Sequence, residues 1–329
     1  MVMMNIAQAI NRALDEEMER DPNIFLIGED IGEHGGVHGI TKGLYEKYGS
    51  KRVIDSPISE IAIVGTAIGA AMNGLRPVAE IMYMDFLNLV MEQLVNHAAQ
   101  AKFMSAGKLK VPLVVMTQTS LGRQHGPQHS QFFLSQLVNT PGLNVALSST
   151  PKTAYGLMKQ ALRENNPTIY ISSAWEYFRF KEDVPENRDF IIPFGKAEVV
   201  KEGNDITIIS YSRTVYVSLI AAEKLKSEGI NAEVIDMRTL SPIDLETPKN
   251  SLNKTLNGIV VSDEHENASV SSFIAQKLNE RLFDKLNKPV TTLNPPFTFT
   301  PSSPQLEKAY MIDENKIIAK VKEVLNKNA

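Results

Sequence analysis

Short apolar runs of strand type alternate along this chain with longer segments whose apolar residues recur at helical spacing, and this alternation constrains the fold more than any other feature. Residues 23–27 (NIFLI), 52–55 (RVID), 76–82, 111–117 (VPLVVMT), 144–147 and 168–171 (TIYI) read as strands. Between them the spacing predicts helices over 5–20, with Ile6, Ile10, Leu14 and Met18 on one stripe, and over 41–48, 56–73, 85–103 and 153–165. Strands apolar on both faces belong in a sheet covered on both sides, and helical crossovers make such strands parallel.

A second series follows a polar, irregular stretch at 181–189 that contains Pro185. It has strands at 206–211, 232–236, 258–262 and 290–293, and a helix over 214–228 closed by Gly229. Another helix is opened by Ser241-Pro242 with Asp244, and further ones cover 271–282 and 314–325, the last with Ile317, Ile318, Val321 and Val324 inward. A chain of 329 residues is long enough for two cores. The expectation is an α/β protein of two three-layer α/β/α domains with mainly parallel sheets, residues 1–189 and 190–329.

Composition removes several kinds of chemistry. The formal net charge of −4 offers no basic footprint, so nucleic acid is not expected as a partner. Cysteine is absent, which excludes disulfides, thiolate metal sites and a cysteine nucleophile. Residues 1–20 mix Asp15, Glu16, Glu17 and Glu19 with apolar residues at helical spacing, unlike a signal or transit peptide. No apolar run approaches the roughly 20 residues a membrane helix needs. A soluble cytoplasmic protein with no membrane contact is expected.

Asp55-Ser56-Pro57-Ile58-Ser59-Glu60 leads into a Gly/Ala-rich segment with Gly65 and Gly69 four apart. Ser56 suits an N-cap and Pro57 the first helical position, and the small residues let such a helix approach a neighbouring backbone closely. On this pattern alone Glu60 is a macrodipole partner in a first turn. The first strand ends in Gly28-Glu29-Asp30-Ile31-Gly32, whose two acids would repel a pyrophosphate, so a dinucleotide site is disfavoured; a Walker loop and a Gly-x-Ser-x-Gly elbow are missing. His125 and His129 are four apart but lie in a Gly/Pro loop rather than on a helix face, a poor metal spacing. Phe86 alone reads as core. Together Glu29, Glu60, Phe86 and His129 fall at the ends of successive strands of one sheet, where an acid, an aromatic platform and a proton carrier can converge on a heterocycle.

Gly28-Glu29-Asp30, Asp55-Ser56-Pro57-Ile58-Ser59-Glu60, Gly74-Leu75-Arg76-Pro77, Met84-Asp85-Phe86, Gly126-Pro127-Gln128-His129-Ser130-Gln131 and Thr239-Leu240-Ser241-Pro242 stand in the order and spacing found in β subunits of thiamine-diphosphate-dependent 2-oxo acid dehydrogenases, and the chain resembles that family from Asn5 to Leu325. The resemblance implies a transketolase-like pyrimidine-binding domain followed by a transketolase C-terminal-like domain. It implies that Glu60 hydrogen-bonds the pyrimidine of thiamine diphosphate and promotes its imino tautomer, that Phe86 stacks near that ring, that His129 lines the substrate side, and that Glu29 belongs to a proton relay. It further implies a structural potassium ion held by oxygens of the segment 161–166, with Leu162, Glu164 and Asn166 as ligands. The Gly-Asp-Gly followed by Asn-Asn that holds Mg²⁺ and the diphosphate in this family is missing, so a separate α subunit must supply it in an α2β2 heterotetramer. The implied reaction is decarboxylation of a 2-oxo acid of the pyruvate or branched-chain type, with acyl transfer to a lipoyl group on an acyltransferase partner. Segments 117–125, 172–178 and 263–271 depart from the family pattern. They leave open a specialised biosynthetic decarboxylase or acyloin-type (acetoin dehydrogenase-like) enzyme, and a non-catalytic β-like assembly subunit.

Overall fold

Asn5 starts the first helix with a reciprocal cap: its side chain accepts from the Gln8 N–H at 2.9 Å while the Gln8 side chain accepts from the Asn5 N–H at 3.0 Å. In the computed structural model, which describes residues 1–326, β1 (Val2–Met4) leads into this helix, α1 (Ile6–Arg20). Then come β2 (Ile24–Gly28), α2 (Leu44–Tyr48), β3 (Val53–Asp55), α3 (Glu60–Met72) and β4 (Arg76–Ile81). After a 3-10 segment, Met84–Val90, and a π-helical segment, Gln93–Ala99, the chain forms α4 (Ala101–Met104), β5 (Val114–Thr119), α5 (Ser135–Val138), β6 (Asn144–Leu147), α6 (Pro151–Arg163), β7 (Thr168–Ser173) and β8 (Glu182–Val184). The remainder is β9 (Glu198–Lys201), β10 (Ile206–Ser210), α7 (Arg213–Ser227), β11 (Ala232–Asp236), β12 (Thr239–Ser241), α8 (Glu246–Thr255), β13 (Gly258–Val261), α9 (Val270–Leu282), β14 (Thr291–Leu293), α10 (Pro304–Tyr310) and α11 (Glu314–Val324).

Two sheets carry the molecule. One has seven strands in the order β12-β6-β7-β5-β4-β2-β3, all parallel except β12; the other has five in the order β14-β13-β10-β11-β9, all parallel except β9. Apolar side chains of α1 and α6 fill one face of the larger sheet, and those of α3 and residues 84–99 fill the other. The smaller sheet is covered by α7 and α11 on one side and by α8 and α9 on the other. The cluster under α3 runs on without a break through Leu134, Leu240 and Tyr211 to α9, so apolar packing spans the two sheets.

Four sequence expectations change here. The helix expected from Ser56 begins at Glu60, because the Ser56 N–H donates to Gly28 O at 2.9 Å and prolongs the pairing of β3 with β2, while the Ser56 hydroxyl donates to Pro57 O rather than capping. The single helix expected over 85–103 is three pieces, and Leu89, on the apolar period of that segment, is exposed. Asp85 holds the first piece in place: its Oδ1 accepts from the Gln131 N–H at 3.2 Å and its carbonyl accepts from the Asn88 side chain at 3.2 Å. Mid-helix π turns of this kind cluster at functional sites. The irregular stretch at 181–189 contains β8, which pairs antiparallel with β1, Val2 opposite Val184. Ser241, expected to open a helix with Pro242, instead ends β12, which reaches back to the edge of the first sheet with Thr239 opposite Ala146, and the helix begins at Glu246.

Candidate active site

β3, β2, β4 and β5 are consecutive neighbours in the larger sheet, and each ends in a segment that carries one of the four candidates. Glu60 is the first residue of α3 after β3, Glu29 follows Gly28 at the end of β2, Phe86 lies in the 3-10 segment after β4, and His129 lies in the loop after β5. The carboxyl edge of an open parallel sheet is where such folds bind ligands. Gly28 is required for the strands to meet there, since a Cβ on it would lie 2.9 Å from the Cβ of Glu80.

The acids interact. Burial pushes the Glu29 carboxyl up, and the charges of Glu60 and Asp30 push it the same way. Beneath them Glu80 points from β4 with its Oε2 enclosed and without a hydrogen-bond partner among the described residues. Burial, then Glu29 and Asp30, push its carboxyl up to about 8. At neutral pH Glu80 therefore keeps its proton, and the cluster holds exchangeable protons next to a helix start. Asp55 ties the flanking Gly-rich loop to this edge, its Oδ1 accepting from the Gly32 N–H at 2.7 Å.

Four rings gather opposite. Phe86 and His129 meet edge to face at 5.4 Å between centroids, and Tyr83 touches both, at 5.9 Å and 5.0 Å. His125 joins through Tyr83 at 5.8 Å and through His129 at 6.3 Å. Burial, then Arg123 and His129, pull the His125 imidazole down. The loop is set by the Ser120 hydroxyl, which donates to the His129 carbonyl, and by Asp85 on Gln131. All four expected residues are thus at one edge. Glu80, Tyr83 and Asp85 were missed: an acid inside the apolar run RPVAEI was the available signal for Glu80, whereas Tyr83 and Asp85 carried none beyond their nearness to Phe86.

Acids one of which has its proton affinity raised by its neighbours, aromatic surface and imidazoles suit a flat, basic heterocycle such as an aminopyrimidine. Among the described residues no three His, Asp or Glu side chains converge as a metal site. The turn at 161–166 already holds protein cations: the Arg76 guanidinium donates to the carbonyls of Leu162, at 2.9 Å, and of Glu164, and to Asn165 Oδ1 at 3.2 Å, while Lys102 Nζ donates to Asn166 Oδ1 at 3.3 Å.

Beside Glu60, and separately on residues 95–104 at the opposite, amino-terminal edge of the sheet, the surface is apolar. Ile58 is 81% exposed, Ile61 53%, Phe103 89% and Met104 74%, and a groove of about 1010 Å³ is lined by Val95, Ala98, Phe103 and Pro141 among others. Gly65 and Gly69 lie on an open face of α3 with nothing within 4 Å of where a Cβ would stand, so the close approach their spacing predicts is not made within this chain. No helix among the described residues is long and apolar enough to cross a membrane.

Residues 2–177 match the family described as transketolase, pyrimidine binding domain, and residues 195–317 match the transketolase C-terminal domain. The chain is 38% identical over 325 residues to the 2-oxoisovalerate dehydrogenase subunit beta of Bacillus subtilis, covering 98% of this chain and 99% of that one. It is 40% identical over 318 residues to the pyruvate dehydrogenase E1 component subunit beta of Porphyra purpurea, covering 97% and 96%. To the acetoin:2,6-dichlorophenolindophenol oxidoreductase subunit beta of Cupriavidus necator it is 38% identical over 332 residues, covering 98% and 97%. Among solved structures, a split-gene transketolase described as an inactive beta4 tetramer superposes with a TM-score of 0.78 at 21% identity over 98% of this chain and 99% of that one, a likeness of fold.

Proposed function

This chain belongs to the transketolase-type family of 2-oxo acid dehydrogenase β subunits, and on that premise we propose that, joined to an α subunit, it decarboxylates a 2-oxo acid on thiamine diphosphate and hands the acyl group to a lipoyl acceptor. The observation that carries the reading is the convergence of Glu60, Glu29, Phe86 and His129 at four adjacent strand ends, with Glu29 raised in part by the charge of Glu60. The cofactor supplies the electron sink for decarboxylation. Glu60 would hold the pyrimidine nitrogen by a hydrogen bond, with Glu29, whose affinity for protons is raised by burial and by the charge of Glu60, as the second acid of the pair. Phe86, braced by Tyr83, offers its ring to the pyrimidine. His129 would line the substrate side, where its imidazole can assist acyl transfer to the lipoyl group.

The diphosphate and its Mg²⁺ fall to the α subunit, since the motif for them is missing from this sequence, and the apolar skin around α3 and residues 95–104 is the surface we assign to subunit contacts in an α2β2 assembly. We place the domain boundary at 189/190 and the protein in the cytoplasm. Potassium at Leu162, Glu164 and Asn166 would share oxygens that Arg76 and Lys102 already occupy, so it is restricted to their remaining lone pairs. An acyloin-type reaction is the second reading, favoured by a relative of acetoin type at the same 38% identity as the 2-oxoisovalerate one.

Titration calorimetry of thiamine diphosphate with Mg²⁺ into the αβ complex, run beside turnover, tests the assignment. Glu60→Gln is expected to bind the cofactor and lose roughly a hundredfold or more of turnover, the scale of a lost acid–base group. Unchanged turnover in that variant removes the role given to Glu60. A complex that binds no cofactor leaves only an assembly role.

A further inference from the structure

The loop that carries His125 and His129 is held from the other end of the chain. Glu307 lies on α10 and is buried, 3% exposed. Its Oε1 accepts from the Gly122 N–H at 2.9 Å, and both its oxygens accept from the Gln124 N–H, at 3.0 Å and 3.2 Å. Both amides point the same way because Gly122 and Gln124 are left-handed, with φ of 88° and 63°. Successive N–H groups turned inward in this manner form an anion-binding concavity, and here the anion is a side chain 183 residues away.

The rest of the loop is pressed into the same geometry. A Cβ on Gly122 would collide with the Trp175 ring and with the Met311 side chain, so that turn is walled by β7's exit on one side and by the end of α10 on the other. The Arg123 N–H closes back on Ser120 O at 3.0 Å, and the Ser120 hydroxyl reaches the His129 carbonyl. Glu307, Gly122, Ser120 and His129 are therefore linked by contacts that continue from the second series of elements into the ring cluster. The Glu307 charge also acts on His125, opposing the burial and the Arg123 and His129 charges that lower its proton affinity.

We propose that Glu307 is a positioning residue of the active site: its carboxylate, gripping the amides of Gly122 and Gln124, sets the loop that presents His125 and His129 to substrate. The proposal rests on the reaction assigned above for its kinetic consequence, but the grip itself is a property of this chain alone.

Two measurements separate the two. Amide exchange on the full chain without its partner is expected to show Gly122 and Gln124 protected at least tenfold over other loop amides in the wild type, with that protection lost in Glu307→Gln and largely kept in Glu307→Asp. Fast exchange of both amides in the wild-type chain overturns the proposal, whatever the chain catalyses and whether or not a variant folds. In the αβ complex, Glu307→Gln is expected to lower kcat/KM for the 2-oxo acid roughly tenfold while cofactor affinity stays within twofold, and to move the acid limb of the pH profile to lower pH. Glu307→Asp, which keeps the charge, is expected to return that limb toward the wild-type position. A Gln variant with wild-type kcat/KM and pH profile, or an Asp variant indistinguishable from Gln, refutes the positioning role.

Discussion

Glu80 costs the folded chain stability at alkaline pH. Its usual value is 4.5, and the fold pushes it to about 8, chiefly by burial and then by Glu29 and Asp30. Between those values the folded chain holds a proton that the unfolded chain releases, so stability is full below the usual value and falls as pH rises through the window. Glu80→Gln keeps the shape and removes the titration. Thermal melts should show the variant gaining on the wild type from pH 6 to pH 9, by roughly 1–3 kcal/mol at the upper end; parallel curves for the two would contradict this. The acids at Glu29 and Glu60, the ring of Phe86 and the imidazole of His129 were legible in the sequence because each stands in a short ordered motif. Glu80 was not weighed because it is embedded in a strand that otherwise reads as apolar, and its raised proton affinity comes first from burial and then from Glu29 and Asp30 just past the end of the neighbouring strand, none of it visible in its sequence surroundings.

The helix starts at α1 and α6, where side chains cap them, were more legible than the start of α3, where none does. Asn5 and Thr150 each make reciprocal caps, and α1 and α6 begin within one or two residues of the pattern. Ser56 has the residue type of a cap but is spent on a backbone contact, and α3 starts later at Ser59, which makes no side-chain cap bond. The segment 84–104 has an even apolar period, yet Asp85 is fastened to the distant loop at Gln131 and the helix breaks into tighter and wider turns. The seam between α1 and α6 offers a test at this scale. Lys159 is fully buried there, 2.7 Å from Glu16 and 3.5 Å from Glu17, with the Tyr155 hydroxyl at 3.0 Å. Lys159→Ala leaves two buried carboxylates short of a partner and should destabilise the chain by roughly 3–5 kcal/mol in urea denaturation; a loss under about 1 kcal/mol would mean that Arg12 and Arg163 suffice for the pair.

The molecule as a whole was legible as two α/β/α units, but not the strands that tie them. β12 reaches from the second series to the edge of the first sheet, and its three residues lie in a turn-rich stretch with no alternation to announce it. The same holds for β8 on β1, which are too short to show a period. What the fold leaves open is as informative as what it closes: Ile58 and Ile61 remain exposed beside Glu60, and Phe103 and Met104 at the opposite edge of the sheet, apolar surface of the kind subunit contacts cover. On the proposed function, Glu60 at the mouth of α3 would hold only the pyrimidine half of the cofactor. The most direct test is release of labelled CO2 from carboxyl-labelled pyruvate and branched-chain 2-oxo acids, with thiamine diphosphate and Mg²⁺ present. Release by the αβ complex, with none from this chain alone and little from the complex carrying Glu60→Gln, is the predicted result; no release from any of these acids by the complex, or release undiminished by Glu60→Gln, would contradict the account.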